Sequence, residues 1–131
     1  MNLINSVIAH ESKGMWNAVS NTGALGVMQI TADNYAPHNG VKFNPFDPEK
    51  SIMHGTKMLS FYIDKFGSNQ LGIDKSLVAY NQGKGAVSRA IDKYKENWLE
   101  NINEEGRNYI IKIHNIRNNG QKIPGYFGER R

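Results

Sequence analysis

The sequence predicts a mostly α-helical protein folded as one domain over residues 1–131. Its apolar residues recur at helical spacing along nearly the whole chain, and no stretch alternates with period two for long enough to predict a sheet. The length suits a single hydrophobic core and is too short for two full domains. Hydrophobic residues make up 39% and charged residues 21%, which excludes the disordered and low-complexity classes.

The first predicted helix begins after Asn2 and ends near Glu11. Asparagine is a preferred N-cap, and Leu3, Val7 and Glu11 follow it at i, i+4 and i+8, so they share one face of the helix. The first twelve residues lack the basic cluster and the continuous apolar core of a secretory signal. We therefore expect no signal peptide in this chain.

The middle of the chain combines loop signals with one strong helix start. Glycines and short polar residues predict a loop over residues 13–28 and a short helix or turn around Val27–Tyr35. Prolines and a glycine predict a surface connection over residues 36–48. Asp47-Pro48-Glu49 then predicts a helix start, with a capping acid, a proline in the first turn and an acid facing the helix dipole. This helix is expected to end at Gly67.

The remaining apolar spacing predicts more helices and an irregular end. Asp74 is the predicted cap of a helix over residues 75–82, which a glycine follows. Further helical patterns cover residues 86–94 and 109–116. Residues 120–131 show no periodicity and are predicted to be an irregular basic tail.

The residue types present exclude several kinds of site. The chain has no cysteine, so disulfide scaffolds, thiol nucleophiles and cysteine-ligated zinc are excluded. No apolar run approaches the roughly 20 residues that span a bilayer, so we expect no transmembrane segment. The histidines show no metal-ligand spacing, so no metal and no cofactor are expected; they are His10, His38, His54 and His114.

Basic residues concentrate toward the C-terminus. The net charge is +4, and residues 107–131 hold six basic side chains against Glu129 alone. A basic face of this kind indicates a polyanionic partner, which includes nucleic acid, a membrane surface and an anionic cell-wall polymer. A solvated tail is the alternative interpretation.

Glu11 is the leading candidate for chemistry. A carboxyl group on an apolar helix stripe is shielded from water, and desolvation raises the pKa of an acid. An acid that stays protonated near neutral pH can donate its proton to a leaving oxygen, as cleavage of a glycosidic bond requires. On periodicity alone, a glutamate that faces water at a helix end remains the alternative.

Three blocks follow one another in a specific order. The first extends from Glu11-Ser12 to Gln29-Ile30, the second is AYNQGKGAV over residues 79–87, and the third is EGRNYIIKI over residues 105–113. Together they resemble the signature of the Slt-type lytic transglycosylases, which share a lysozyme-like fold and cut bacterial peptidoglycan. The chain departs from that pattern at Gln82, Ser51 and Val27, where Ala, Asn and Leu are common, and none of these removes a catalytic group.

The resemblance implies a substrate cleft with Glu11 as the sole catalytic acid and base. Alternatives stay open for several other positions: capping for the serines, a core position for the methionine and a loop hydrogen bond for the glutamine. The substrate-binding residues implied by the resemblance are Ser12, Ser20, Met28, Gln29, Tyr80, Asn81, Glu105 and Tyr109.

The resemblance also implies a mechanism with one carboxylate. Most glycosidases use two, and substrate assistance is a recognised exception. Glu11 would protonate the oxygen between N-acetylmuramic acid and N-acetylglucosamine, and the muramyl acetamido group would stabilise the cationic carbon. The C6 hydroxyl would then close onto C1 to give a 1,6-anhydromuramyl end. A hydrolytic muramidase on the same site is the alternative outcome.

Two alternative functions from other classes compete with the interpretation as a lytic transglycosylase. The pattern over residues 72–91 is typical of two helices joined by a glycine turn, as in a helix-turn-helix nucleic-acid binder. In that interpretation Lys84 and Arg89 would contact phosphates. That reading leaves Glu11 and the first block unexplained. A catalytically silent glycan-binding module on the same fold is the other alternative. We expect a monomer without nucleic acid that acts on peptidoglycan strands in the periplasm or outside the cell. It would be a phage lysis or virion-associated enzyme, or the catalytic domain of a larger protein.

Overall fold

A computed structural model describes residues 2–31 and 43–119 of the chain. Helices dominate these two ranges, where the only extended pairings are isolated bridges, so the prediction of a mostly α protein is confirmed. The α-helices within the described ranges are α1 (Leu3–Glu11), α2 (Pro48–Phe66), α3 (Gln70–Gln82), α4 (Lys84–Tyr94) and α5 (Glu104–Asn119).

The chain divides within α2 into two compact units. Unit 1 holds the described residues up to Thr56 together with those from Asn115 onward, and unit 2 holds Lys57–His114. The expectation of a single domain over residues 1–131 stays a prediction. The basic tail over residues 120–131, His38 and much of the predicted 36–48 connection lie outside the described residues.

Helix α1 begins and ends where the sequence predicts. The side chain of Asn2 accepts a hydrogen bond from the Asn5 backbone N–H at 2.8 Å, which satisfies one of the free donors at the helix start. Val7 and Ile8 on the apolar face are at most 1% exposed. The buried face fixes α1 in unit 1 and thereby fixes the position of its last residue, Glu11.

Helix α2 has the predicted cap and the predicted stop. The Asp47 carboxylate accepts a hydrogen bond from the Lys50 N–H at 3.2 Å, and Gly67, at φ +112°, donates its N–H to the Ile63 carbonyl at 2.7 Å. Leu59 and Tyr62 from the predicted stripe are buried. Desolvation by this burial raises the pKa of the Tyr62 phenol.

The predicted start of α3 is wrong. The helix begins at Gln70, and Asn69 is its cap: the Asn69 side chain accepts a hydrogen bond from the Gly72 N–H at 2.8 Å. Asp74 instead lies one turn inside the helix, where its carboxylate contacts the His114 ring at 2.6 Å. Both residue types cap helices, so composition alone did not separate them.

Gly83 alone separates α3 from α4. A helix-turn-helix motif uses a turn of three to four residues, so this connection has a different geometry. After α4 the chain forms two short 3₁₀ turns, Lys95–Asn97 and Leu99–Asn101, which the sequence pattern did not predict. Trp98 between them is 2% exposed and anchors this segment in unit 2.

Gly26 sits at a point of unit 1 where no side chain fits. Its φ is +80°, and a Cβ added there would lie 2.0 Å from the Pro45 carbonyl oxygen. Gly23 has a similar φ of +85°, but a Cβ there would meet nothing within 4 Å. The two glycines therefore share a backbone conformation and differ in the space around them.

We expect Gly26→Ala to destabilise the protein far more than Gly23→Ala. The Gly23 change adds only the cost of a left-handed residue, about 1 kcal/mol. The Gly26 change adds a clash with backbone, so its cost should be at least about 3 kcal/mol. Urea unfolding of both variants measures the difference. Equal losses of unfolding free energy would contradict the close approach of Gly26 to Pro45.

Candidate active site

Glu11 is the last residue of α1 and is half-buried. It therefore lies at the end of the helix that carries the partial negative charge of the helix dipole. A half-buried carboxyl group can still reach a molecule in solution.

Ser12 and Ser20, the two serines predicted to bind substrate, form hydrogen bonds with the backbone near Glu11 in sequence. The Ser12 hydroxyl donates to the Ile8 carbonyl at 3.3 Å and accepts from the Gly14 N–H at 3.1 Å, and the residue is buried. The Ser20 hydroxyl accepts from the Ala24 N–H at 2.9 Å. The capping alternative from the sequence thus describes what both hydroxyls do in this structure.

The loop over residues 18–30 is held by its own backbone. Leu25 and Ile30 exchange hydrogen bonds of 3.0 and 2.9 Å, and the Gly26 N–H donates to the Ala18 carbonyl at 2.8 Å. Outside this loop, the Trp16 ring meets the Phe46 ring edge-on, with centroids 6.5 Å apart. These contacts restrict the backbone of the segment that follows Glu11 in sequence.

Met28 is a core residue of this loop. It is 0% exposed, and its backbone N–H donates to the Ser51 hydroxyl at 3.2 Å. Ser51 lies in the first turn of α2 and is itself 0% exposed. The sequence marked Ser51 only as a departure from the family pattern, and its role in anchoring the loop to α2 was missed.

Gln29 presents one side of its amide to the loop. Its Nε2 donates to the Gly26 carbonyl at 2.9 Å and to the Ala18 carbonyl at 3.2 Å. Its Oε1 accepts no hydrogen bond from the described residues, so a half-buried acceptor is held in a fixed direction. The backbone of Gln29 is left-handed, at φ +53°, a conformation that costs a non-glycine residue about 1 kcal/mol.

Tyr80 and Asn81 occupy the last turn of α3 in unit 2, and both are half-buried. The Asn81 Oδ1 atom is buried and accepts no hydrogen bond from any described residue. A buried acceptor without a partner costs free energy, so it marks a place where a ligand group or a water supplies the missing donor. The burial of this oxygen atom without a donor cannot be predicted from the spacing of residues in the sequence.

Glu105 and Tyr109 lie in the first part of α5, one turn apart. Glu105 is exposed, whereas Tyr109 is 3% exposed. The helix is capped by Asn103, whose Oδ1 accepts from the Gly106 N–H at 2.9 Å and also from Gln82 Nε2. Gln82, another departure from the family pattern, therefore braces the cap of the helix that carries the third block.

The predicted site residues fall into two groups. Unit 1 contains the acid and the residues of the first block, and unit 2 contains those of the second and third blocks. Within residues 2–31 and 43–119, no group of three or more histidine, aspartate or glutamate side chains is arranged to hold a metal ion. No helix in that part of the chain is long and apolar enough to cross a membrane.

Comparison with known proteins places these features in a family. The model of the transglycosylase SLT domain matches residues 1–103. The peptidoglycan transglycosylase gp16 of Escherichia phage T7 is 33% identical over 117 residues, which are 85% of this chain and 9% of gp16. The endo-type membrane-bound lytic murein transglycosylase A of Citrobacter koseri is 32% identical over 116 residues, covering 78% of this chain and 57% of that protein. The chain thus spans only part of the curated relatives it matches.

Solved structures share the fold. The soluble lytic transglycosylase Slt70 of Escherichia coli matches with a TM-score of 0.69 and 24% identity, over 98% of this chain and 24% of that one. An inactive mutant of the lytic transglycosylase Slt of Pseudomonas aeruginosa matches with a TM-score of 0.66 and 22% identity, over 92% of this chain and 22% of that one. The expected lysozyme-like fold is confirmed by this likeness. From the family model and the 33% identical phage relative together, the chain belongs to the transglycosylase SLT domain family.

Proposed function

We propose that the chain cleaves peptidoglycan as a lytic transglycosylase, with Glu11 as its single catalytic acid and base. The observation that carries the proposal is the position of Glu11, half-buried at the end of α1 and followed directly by the hydrogen-bonded loop of the first block. The curated relatives are named peptidoglycan and murein transglycosylases. In the Pseudomonas relative, an inactive mutant carries glutamine in place of a glutamate, which agrees with a reaction that depends on one carboxyl group.

The proposed reaction starts and ends with the same form of Glu11. The protonated carboxyl group donates to the oxygen that joins C1 of N-acetylmuramic acid to N-acetylglucosamine, and the C1–O bond breaks. The muramyl acetamido oxygen stabilises the positive charge on C1, so no second carboxylate is required. The Glu11 carboxylate then takes the proton of the C6 hydroxyl, whose oxygen bonds to C1. The product end is 1,6-anhydromuramyl, and no water is consumed.

Two fixed acceptors are proposed to contact the substrate. Gln29 Oε1 is the free side of an amide whose Nε2 is bound to the loop, and it suits an N–H or O–H donor of the sugar. Asn81 Oδ1 is buried and lacks a donor that an acetamido N–H or a hydroxyl can supply. The substrate cleft implied by the resemblance stays a prediction.

The other predicted contacts receive different roles. Ser12, Ser20 and Met28 are assigned to shaping the loop, because their hydroxyl or backbone groups already bind protein partners and Met28 is buried. Tyr80, Tyr109 and Glu105 stay proposed substrate contacts. The exposure of Glu105 suits a contact at the outer part of a glycan strand.

The proposed setting is the bacterial cell wall. A peptidoglycan substrate places the reaction in the periplasm or outside the cell, and the identity to a phage T7 protein agrees with a phage lysis or virion-associated enzyme. We propose a monomer that does not use nucleic acid as a partner. The single-glycine link between α3 and α4 argues against the helix-turn-helix alternative, because that motif requires a longer turn.

Glu11→Gln should abolish release of muropeptides from purified cell walls while leaving the fold intact. The amide keeps the size of the side chain and cannot donate or accept the transferred proton, so the rate should fall by about 10³-fold. Glu49→Gln is the matched control, since Glu49 is exposed in the first turn of α2. It should retain full activity. Wall lysis by Glu11→Gln at the wild-type rate would rule out the assigned acid.

The products distinguish the lyase from the hydrolase. Digestion in ¹⁸O-labelled water followed by mass spectrometry should give muramyl ends that are lighter than reducing ends by one water and carry no label. This result follows because the C6 hydroxyl, and not water, attacks C1. Labelled reducing ends would instead identify a muramidase on the same carboxyl group.

A further inference from the structure

Three large apolar side chains of unit 1 are exposed to solvent in the segment that follows α1. Met15 is 52% exposed, Trp16 57% and Val19 62%. They lie close together in the sequence, and the proposed reaction uses none of them. Exposed apolar side chains that cluster in this way mark a surface where a partner excludes water.

Two successive turns carry these side chains. Lys13 and Gly14 are both left-handed, at φ +55° and +79°, and they turn the chain directly after α1. The Ala18 N–H then donates to the Met15 carbonyl at 3.2 Å, which closes a turn with Trp16 at its first corner. A hydrogen-bonded backbone therefore presents the apolar side chains, and their exposure is a feature of the fold.

Phe46 extends the apolar surface. Its ring meets the Trp16 ring edge-on, with the centroids 6.5 Å apart, and it is half-buried. Edge-to-face contact is a favourable arrangement of two aromatic rings, so Phe46 supports the exposed indole. These side chains form what we call the apolar patch: Met15, Trp16, Val19 and Phe46.

The chain around the apolar patch carries little negative charge. Residues 12–31 contain no aspartate or glutamate, and their one cation, Lys13, is exposed. Asp47 follows Phe46 in sequence, but its carboxylate accepts a hydrogen bond from the Lys50 N–H in the first turn of α2. An anionic surface can therefore approach the patch with little repulsion, and it would attract Lys13.

The size and composition of the patch favour a lipid bilayer over a protein or a sugar. Its four side chains cover far less than the roughly 800 Å² that each partner of a stable protein complex buries. A sugar ring can stack on an indole, but its hydroxyl groups do not match the aliphatic side chains of Met15 and Val19. A bilayer surface needs no matching shape, and tryptophan is enriched at the level of the lipid headgroups.

We propose that the apolar patch binds the surface of an anionic phospholipid bilayer. Trp16 lies at the level of the headgroups, Met15 and Val19 reach the outer part of the acyl chains, and Lys13 lies beside the lipid phosphates. The inference does not rest on the proposed function, because no side chain of the patch is assigned to the reaction. It adds a membrane surface to the proposed cell-wall substrate.

The fluorescence of Trp16 tests the proposal directly. The chain has two tryptophans, and the other, Trp98, is only 2% exposed. When the full chain is mixed with vesicles of phosphatidylcholine and phosphatidylglycerol, we expect the emission to move to shorter wavelength, because lipid replaces water around the exposed indole. Vesicles with brominated acyl chains should quench Trp16. Unchanged emission, or emission that brominated lipids do not quench, would overturn the proposal.

Co-sedimentation with the same vesicles measures the partition coefficient of variants. Met15→Gln with Trp16→Gln should lower it at least about tenfold, because partitioning scales with the apolar area buried. The matched control is Leu71→Gln with Ile111→Gln, which removes apolar side chains of similar exposure, 51% and 56%, from α3 and α5. The control should partition like the wild type. Thermal unfolding verifies that both double variants are folded.

Equal partitioning of the wild type and the Met15/Trp16 variant, or an equal loss in the control, would contradict a role of the patch. Vesicles of phosphatidylcholine alone should bind at least about threefold more weakly, because they lack the negative charge that attracts Lys13. Equal binding to these neutral vesicles would overturn the assignment to an anionic bilayer.

Two further measurements separate the bilayer from other partners. A soluble oligomer of N-acetylglucosamine that shifts the Trp16 emission, when vesicles do not, would replace the proposal with a sugar-stacking surface. Self-association that the Met15/Trp16 variant abolishes, without binding to vesicles, would replace it with an interface between copies of the chain. Vesicles contain no glycosidic bond, and Glu11→Gln should bind them like the wild type. The outcome is thus independent of whether Glu11 cleaves cell walls.

Discussion

The backbone of Gly26 is the constraint on which the loop that follows Glu11 in sequence depends. Its N–H donates to the Ala18 carbonyl, and its own carbonyl accepts from both the backbone N–H and the side chain of Gln29. The approach of Pro45 leaves no space for a side chain at this position. One residue therefore closes the loop, orients the Gln29 amide and sets how near the loop lies to the start of α2. The loop that follows Glu11 in sequence therefore has little conformational freedom.

The helical framework was predictable because its signals are local. Asn2 and Asp47 cap α1 and α2, and Gly67 and Gly83 follow the ends of α2 and α3, since capping chemistry and left-handed conformations belong to particular residue types. The cap of α3 was assigned to the wrong residue. Asn69 and Asp74 are equally good caps in isolation, and only the tertiary contact with His114 decides that the carboxylate is used elsewhere.

The sequence predicted which residues belong to the candidate site, but it did not predict the contacts that each of them makes. Sequence blocks identified Met28 and Gln29, but burial makes one a core residue and hydrogen bonding makes the other an oriented acceptor. The contact of Ser51 with Met28 and the contact of Asn103 with Gln82 join residues that are distant in sequence, so spacing did not predict either one. The departures from the family pattern at Ser51 and Gln82 were the only indication that these contacts exist. Long-range pairs of this kind are visible only in three dimensions.

Asn103 joins two parts of unit 2 through one oxygen atom. The same Oδ1 accepts hydrogen bonds from the Gln82 side-chain amide and from the Gly106 N–H in the first turn of α5. Whatever displaces Gln82 therefore acts on the first turn of the helix that carries Glu105 and Tyr109. An alanine at position 82 would lack the amide that joins the end of α3 to the start of α5, and the two helix ends would then be uncoupled.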